Sequence, residues 1–190
     1  MSTRRFILSA IGVVAALPLL SRHGIAQTAM SRATAFAFSF TTLDGNELRL
    51  VEQTGRPVLV VNTASLCGYT PQYSGLETLW TRYRDRGLLV LGVPSNDFGG
   101  QEPGGASEIH DTAHRHGVTF PLTEKVAIRG AGAHPFYRWA ATQRPGETPR
   151  WNFHKYLVGQ DGTLAAAFGS AIEPTDPRLT AAIERQLPPA

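Results

Sequence analysis

Cys67 is the one cysteine in this 190-residue sequence, and its position invites chemistry. It lies just past the apolar run Val58-Leu59-Val60-Val61 and a few residues before a stretch with helical periodicity. Reaction sites in open α/β sheets collect at that carboxyl edge of a strand. Free amides and the positive end of a helix dipole favour a thiolate there. A thiolate attacks an O–O bond, becoming a sulfenic acid as the alkoxide leaves. The flanking Ser65, Gly68 and Thr70 are polar or small, which suits an accessible thiol. The competing reading is a small apolar plug at a strand end, and position by itself leaves both open.

Other candidate groups are weaker. His110 and His114 share a helical face with His116 nearby, but a firm zinc site needs a third ligand in place and supporting partners behind it. A solvated, exposed helix face is the simpler reading, and no metal is expected. Gly99-Gly100 and Gly104-Gly105 make a glycine-rich loop without the lysine and helix of a phosphate loop. They read as a turn presenting Gln101. No serine carries an acyl-transfer signature.

The elements that would position Cys67 can be read from periodicity. Phe36, Phe38 and Phe40 alternate as in a strand, Asp44-Gly45 is a tight turn, and Leu48 and Leu50 alternate on the return, predicting an N-terminal hairpin. Val58 to Val61 and Leu88 to Val93 are continuous apolar runs, as in strands buried on both faces. Between them Tyr73, Leu76, Leu79, Trp80 and Tyr83 recur at helical spacing from Gln72 to Arg86, and Gly87 stops the helix. Further helices are predicted over Gly105 to His116 and His134 to Gln143. A short strand should follow the turn at Gly117, a hairpin should run from Phe153 to Phe168, and a closing helix from Pro177 to Leu187. Strand, helix, strand requires a parallel core, and the late hairpin adds antiparallel strands. This is the order of an α/β, thioredoxin-like fold with a mixed central sheet, flanking helices and an N-terminal hairpin extension.

Residues 1–26 read as an export signal peptide. Arg4 and Arg5 make a basic start, Ile7 to Leu20 are largely apolar, and Gly24-Ile25-Ala26 offers small residues for cleavage. Thr3-Arg4-Arg5-Phe6-Ile7-Leu8 is similar to a twin-arginine signal. The run contains Pro18 and falls short of the ~20 residues of a comfortable span. Cleavage near Gln27 and no lasting membrane insertion are therefore expected, with residues 27–190 forming one domain in the periplasm or another exported location. The leader holds Arg4, Arg5 and Arg22 and no acidic residue, so 18 basic against 15 acidic residues becomes 15 against 15 in the remainder. No basic stripe remains for nucleic acid. A lone thiol in an oxidising space is either buried or kept for its reactivity.

Three blocks of sequence carry more specific information. Val61-Asn62-Thr63-Ala64-Ser65-Leu66-Cys67-Gly68-Tyr69-Thr70-Pro71-Gln72-Tyr73 closely resembles the active-site segment of the glutathione peroxidase family. Leu91-Gly92-Val93-Pro94-Ser95-Asn96-Asp97-Phe98-Gly99-Gly100-Gln101-Glu102-Pro103-Gly104 and Trp151-Asn152-Phe153-His154-Lys155-Tyr156-Leu157-Val158 match it in the same order. The resemblance covers roughly residues 35–187. It implies a peroxidase that reduces hydrogen peroxide and organic or lipid hydroperoxides through a Cys67 sulfenic acid. The family's catalytic set falls on Cys67, Gln101, Trp151 and Asn152. The Gln101 amide and Trp151 indole are N–H donors suited to a thiolate or a developing alkoxide, and Asn152 can donate or accept near the sulfur.

Departures from the family pattern shape the remaining expectations. Sulfur stands in place of the selenium of some members, implying a slower nucleophile. Many cysteine-type members carry a resolving cysteine on the second helix; here Ala113 occupies that place, and Ser95 stands where others have cysteine. The sulfenic acid must then be reduced by an outside thiol, glutathione or another reductant, and no cofactor is implied. Asp97 and Val93 replace a more usual Gln and Phe, implying indirect effects only. The short segment before Trp151 is similar to members lacking the tetramer-building loop, implying a monomer with its thiol open to bulky hydroperoxides. Arg144, Arg150 and Lys155 are basic residues that could attract an anionic thiol. A redox sensor or thiol-binding protein forming a mixed disulfide through Cys67 is the alternative from another class, and Gln101, Trp151 and Asn152 weigh against it.

Overall fold

The computed structural model describes residues 33–189, so the expected leader, residues 1–26, lies outside the described residues. Strands β1 (Ser39–Thr41) and β2 (Glu47–Arg49) form the antiparallel N-terminal hairpin. It is shorter than the phenylalanine alternation predicts. Ala35–Ala37 winds into a 3-10 turn, closed by the Phe38 N–H on the Ala35 carbonyl. The side chains still turn inward as the alternation requires: the half-buried Phe38 packs on Phe136 and Trp139, and the buried Phe40 stacks on His134 with ring centroids 4.2 Å apart.

The central sheet holds β3 (Val58–Thr63), β4 (Leu89–Pro94), β5 (Lys155–Val158) and β6 (Leu164–Phe168) in the order β4-β3-β5-β6. β3 and β4 are parallel, and β5 is antiparallel to both β3 and β6. A parallel pair needs a crossover, and α1 (Gln72–Tyr83) supplies it. The other helices are α2 (Ala106–Arg115), α3 (Pro135–Gln143) and α4 (Pro177–Gln186). The last two begin as their sequences dictate. His134 Nδ1 accepts the Phe136 N–H and Asp176 Oδ1 accepts the Arg178 N–H, each cap followed by proline at the first helical position. A mixed sheet with helices on both faces and a hairpin ahead of it is the thioredoxin-like fold expected.

Every residue of β3 is buried, and its side chains alternate between two cores. Leu59 and Val61 pack with Tyr73, Leu76 and Leu79 of α1 and Leu179 and Ile183 of α4. Val58 and Val60 pack on the opposite face with Phe136, Trp139 and Ala140 of α3. The sheet therefore fixes the end of β3, where Cys67 follows, from both sides. The strand expected after Gly117 is reduced to single bridges, Leu122 with Gly92 and Thr123 with Thr42. This close approach explains a glycine inside β4: a Cβ at Gly92 would stand 2.4 Å from Leu122 Cδ2.

Candidate active site

Cys67 sits in the turn between β3 and α1 and is 7% exposed. Thr70 builds that turn. Its hydroxyl accepts the Cys67 N–H at 3.2 Å and lies 2.8 and 2.7 Å from the Ala64 and Cys67 carbonyls, to which it donates. The Tyr69 N–H points at Cys67 Sγ at 3.4 Å, a dipole that favours negative charge on sulfur. The first amides of α1 do not bond the sulfur directly. Those of Gln72, Tyr73 and Ser74 are taken by the carbonyls of Tyr69, Thr70 and Pro71.

The β4–α2 loop brings Gln101 alongside. Its carbonyl accepts the N–H of Leu66, the neighbour of Cys67. Its side-chain Oε1 accepts from Asn152 Nδ2 at 2.9 Å. Because Asn152 occupies the oxygen, the Gln101 amide N–H groups are left to donate elsewhere. Gly99 and Gly100 both take positive φ, +66° and +64°, to turn this loop. A Cβ at Gly99 would fall 3.4 Å from Trp151 Cη2 and 3.5 Å from Gln101 Cγ, in contact with both, so the two side chains flank this turn, whose positive φ is what favours glycine.

Trp151 and Asn152 come from the segment entering β5. Asn62 in β3 holds it: its Nδ2 donates to the Trp151 carbonyl at 3.1 Å, its Oδ1 accepts the His154 N–H at 3.1 Å, and its carbonyl accepts the Phe153 N–H at 2.6 Å. Phe153 itself is buried at φ +63°, an unfavourable conformation for a bulky residue that this clamp sustains. Asn152 is fully buried, whereas Trp151 is 39% exposed and packs on Phe98 with centroids 5.9 Å apart. The structure therefore gathers Gln101, Trp151 and Asn152 into one group and joins it to the Cys67 turn through Leu66.

Beneath this group lies a buried polar cluster that sequence reasoning did not single out. Glu102 is fully buried, and burial raises its carboxyl above the usual range despite the approach of Ser65 and the charge of Lys125. Tyr73 and Thr63 are its buried neighbours, and burial pushes the Tyr73 phenol up as well. Lys125 Nζ gathers the carbonyls of Glu102 and Gly104 at 3.0 and 2.8 Å, fixing the loop from outside. Asn62, Thr70 and Glu102 all lie within the quoted blocks. Their polarity beside strand ends was the available signal.

The three basic candidates separate. Lys155 is fully buried, its Nζ donating to the Gln72 side-chain oxygen and the Ile172 carbonyl, and burial lowers it to about 8. Arg144 is tied to Glu147 and to the carbonyls of Leu164 and Ala165. Arg150 alone stays exposed beside Trp151. His110 and His114 face each other with ring centroids 6.2 Å apart, and among the described residues no group of three or more potential ligands could hold a metal ion.

A lone cysteine just past the central strand of a thioredoxin-like sheet, in a turn joined through Leu66 to the Gln101 carbonyl, is the arrangement of a thiol-dependent oxidoreductase. Comparison with known proteins narrows the class. Residues 35–141 match the family model for glutathione peroxidase. The chain is 44% identical over 170 residues to the hydroperoxy fatty acid reductase gpx1 of Synechocystis, covering 84% of this chain and 99% of that protein. It is 43% identical over 162 residues to the glutathione peroxidase-like peroxiredoxin GPX5 of Chlamydomonas reinhardtii, covering 83% and 99%. The crystal structure of Trgpx in its apo form superposes with a TM-score of 0.64 at 34% identity, covering 83% of this chain and all of that one. The chain belongs to the glutathione peroxidase family and is a peroxidase that couples hydroperoxide reduction to thiol oxidation.

Proposed function

We propose that Cys67 is the peroxidatic residue and that this chain works as an exported, monomeric, one-cysteine enzyme. The Cys67 thiolate attacks the distal oxygen of a hydroperoxide; the O–O bond breaks, sulfur is oxidised to the sulfenic acid, and the alkoxide leaves to take up a proton as the alcohol. Gln101 and Trp151 donate N–H groups to the thiolate and the departing oxygen, and Asn152 orients Gln101. One thiol then condenses with the sulfenic acid, releasing water, and a second thiol displaces Cys67 from the mixed disulfide. Both thiols come from outside, because the sequence has no second cysteine. The substrates are hydrogen peroxide and organic hydroperoxides, lipid hydroperoxides among them, and glutathione or another small thiol is the co-substrate, with no cofactor and no nucleic-acid partner. The leader-like start, residues 1–26, supports export and periplasmic residence.

The observation that carries this reading is the Asn152–Gln101 bond on the loop that Leu66 ties to Cys67. With its oxygen so occupied, Gln101 keeps its amide N–H groups for another acceptor, which supports a role toward the thiol. Peroxide-dependent oxidation of dithiothreitol or glutathione should be present in the purified protein and absent in Cys67→Ser. A wild-type protein that consumes no hydroperoxide with either thiol would refute it.

A further inference from the structure

The loop that presents Gln101, residues 95–105, contains Gly99, Gly100, Gly104 and Gly105. Glycine loses more backbone freedom on folding than any other residue, so such a loop keeps one shape only where other groups hold it. One restraint lies within the loop, where the Glu102 N–H donates to Asn96 Oδ1 at 2.8 Å. A second set comes from one neighbouring segment, residues 125–129. That segment runs beside the end of β4, and its Val126 N–H donates to the Pro94 carbonyl at 3.0 Å. It then grips the loop on both sides of Gln101. Ahead of Gln101, Asp97 Oδ2 accepts the Ile128 and Arg129 N–H groups at 2.6 and 2.9 Å. Behind it, the carbonyls of Glu102, Pro103 and Gly104 accept from Lys125 Nζ at 3.0, 3.4 and 2.8 Å. Each grip sets a charged side chain on main-chain groups, the stronger class of hydrogen bond.

We infer that Asp97 and Lys125 are positioning residues that act through Gln101, setting where its amide N–H groups stand. This rests on the peroxidase reading, in which Gln101 donates to the thiolate and the departing oxygen. A donor stabilises developing charge only where it already stands in place, and a displacement of about 1 Å costs on the order of 10²-fold in rate. Gln101 has two anchors of its own: its carbonyl accepts the Leu66 N–H at 3.0 Å and its Oε1 accepts from Asn152 Nδ2 at 2.9 Å. They tie it to the Cys67 turn and to the segment entering β5. Residues 125–129 add a third tie, holding the chain before and after the glycine turn at positive φ. Asp97, a departure from the family pattern, belongs to this grip, because one carboxylate oxygen serves two main-chain amides.

A double-mutant cycle on a single turnover tests this. Reduced protein is exposed to hydrogen peroxide for timed intervals and the remaining thiol is titrated, giving the rate constant for Cys67 oxidation. Gln101→Ala should lose about 10²-fold, as expected for one preorganised donor. Lys125→Met and Asp97→Ala should each lose about tenfold, and less than about twofold further once Gln101 is alanine. Thermal melts of the same variants should show a stability loss that persists in both backgrounds, which a purely structural role would share and the rate pattern would not. The two variants lie at opposite ends of the grip, so either one that folds decides the matter. Rate losses that multiply with that of Gln101→Ala would overturn the inference, as would wild-type rates in both Lys125→Met and Asp97→Ala. A wild-type thiol that hydrogen peroxide oxidises no faster than free dithiothreitol would overturn the peroxidase reading and the inference together, so the two failures are told apart.

Discussion

Replacing Lys155 with methionine should alter how stability depends on pH more than it alters stability at any single pH. Lys155 lies on β5, between β3 and β6, and is fully buried. Its ammonium donates to the Gln72 side chain at the start of α1 and to the Ile172 carbonyl, with Ser170 more distant at 3.5 Å. Burial lowers it from 10.5 to about 8, more than the nearby Glu173 carboxylate raises it. Between those values the native chain binds fewer protons than the unfolded chain, so stability rises with pH across that window. At 1.36 kcal/mol per pH unit, the charged lysine costs ~3 kcal/mol at neutral pH, of which ~2.5 kcal/mol is recovered by pH 10. Methionine removes the titration and leaves the partner oxygens without a donor. Urea unfolding followed by tryptophan fluorescence, at intervals from pH 7 to 10, gives the difference between wild type and Lys155→Met. That difference should move by about 2 kcal/mol in favour of wild type as pH rises. Parallel stability curves for the two proteins would refute the burial argument.

Two further predictions concern the site. Gly99→Ala places a methyl between Trp151 and Gln101 at φ +66°, so it should cost ~1 kcal/mol in chemical denaturation and reduce kcat/KM for hydrogen peroxide by more than that loss explains; an unchanged kcat/KM would show that the spacing of those two side chains does not matter. Thr70→Val removes the hydroxyl that both receives the Cys67 N–H and donates to the turn carbonyls, so it should destabilise by ~1–3 kcal/mol and slow alkylation of Cys67 by iodoacetamide at neutral pH. A wild-type alkylation rate in that variant would mean the turn is held by other contacts.

Periodicity made the fold legible where a pattern reports burial on both faces. The run Val58 to Val61 is a buried strand because each residue in it is apolar, and the helix from Gln72 ends near Gly87, which takes φ +98° as a stop requires. Patterns that report facing without reporting backbone path were less informative. Phe36 sits in a 3-10 turn although its neighbours Phe38 and Phe40 bury as an alternating strand would. The segment after Gly117 bends so that Leu122 can pack over Gly92, a long-range contact with no local signal except the glycine itself.

The site shows the same division. Cys67 could be placed from its strand, and Gln101, Trp151 and Asn152 came from the resemblance of whole blocks, since none of the three types is chemically distinctive alone. What the sequence does not display is the set of polar groups that orients them. Asn62 follows four apolar residues of its strand, yet it holds both ends of the Trp151–His154 turn and so sustains the positive φ of Phe153. Lys155 lies two residues further on and is the inverse case, a charge in a strand whose other members are apolar. A basic residue within the block quoted for catalysis reads as a partner for an anion, but a strand with neighbours on both sides turns it inward, where it ties β5 to the helix that begins just after Cys67. Arg129, Arg138 and Arg150 line one cavity although they lie on two loops and a helix, and they meet only when the chain folds. Of these three the sequence singles out Arg150 alone, because Arg129 and Arg138 lie outside the recognisable blocks and are separated from it along the chain.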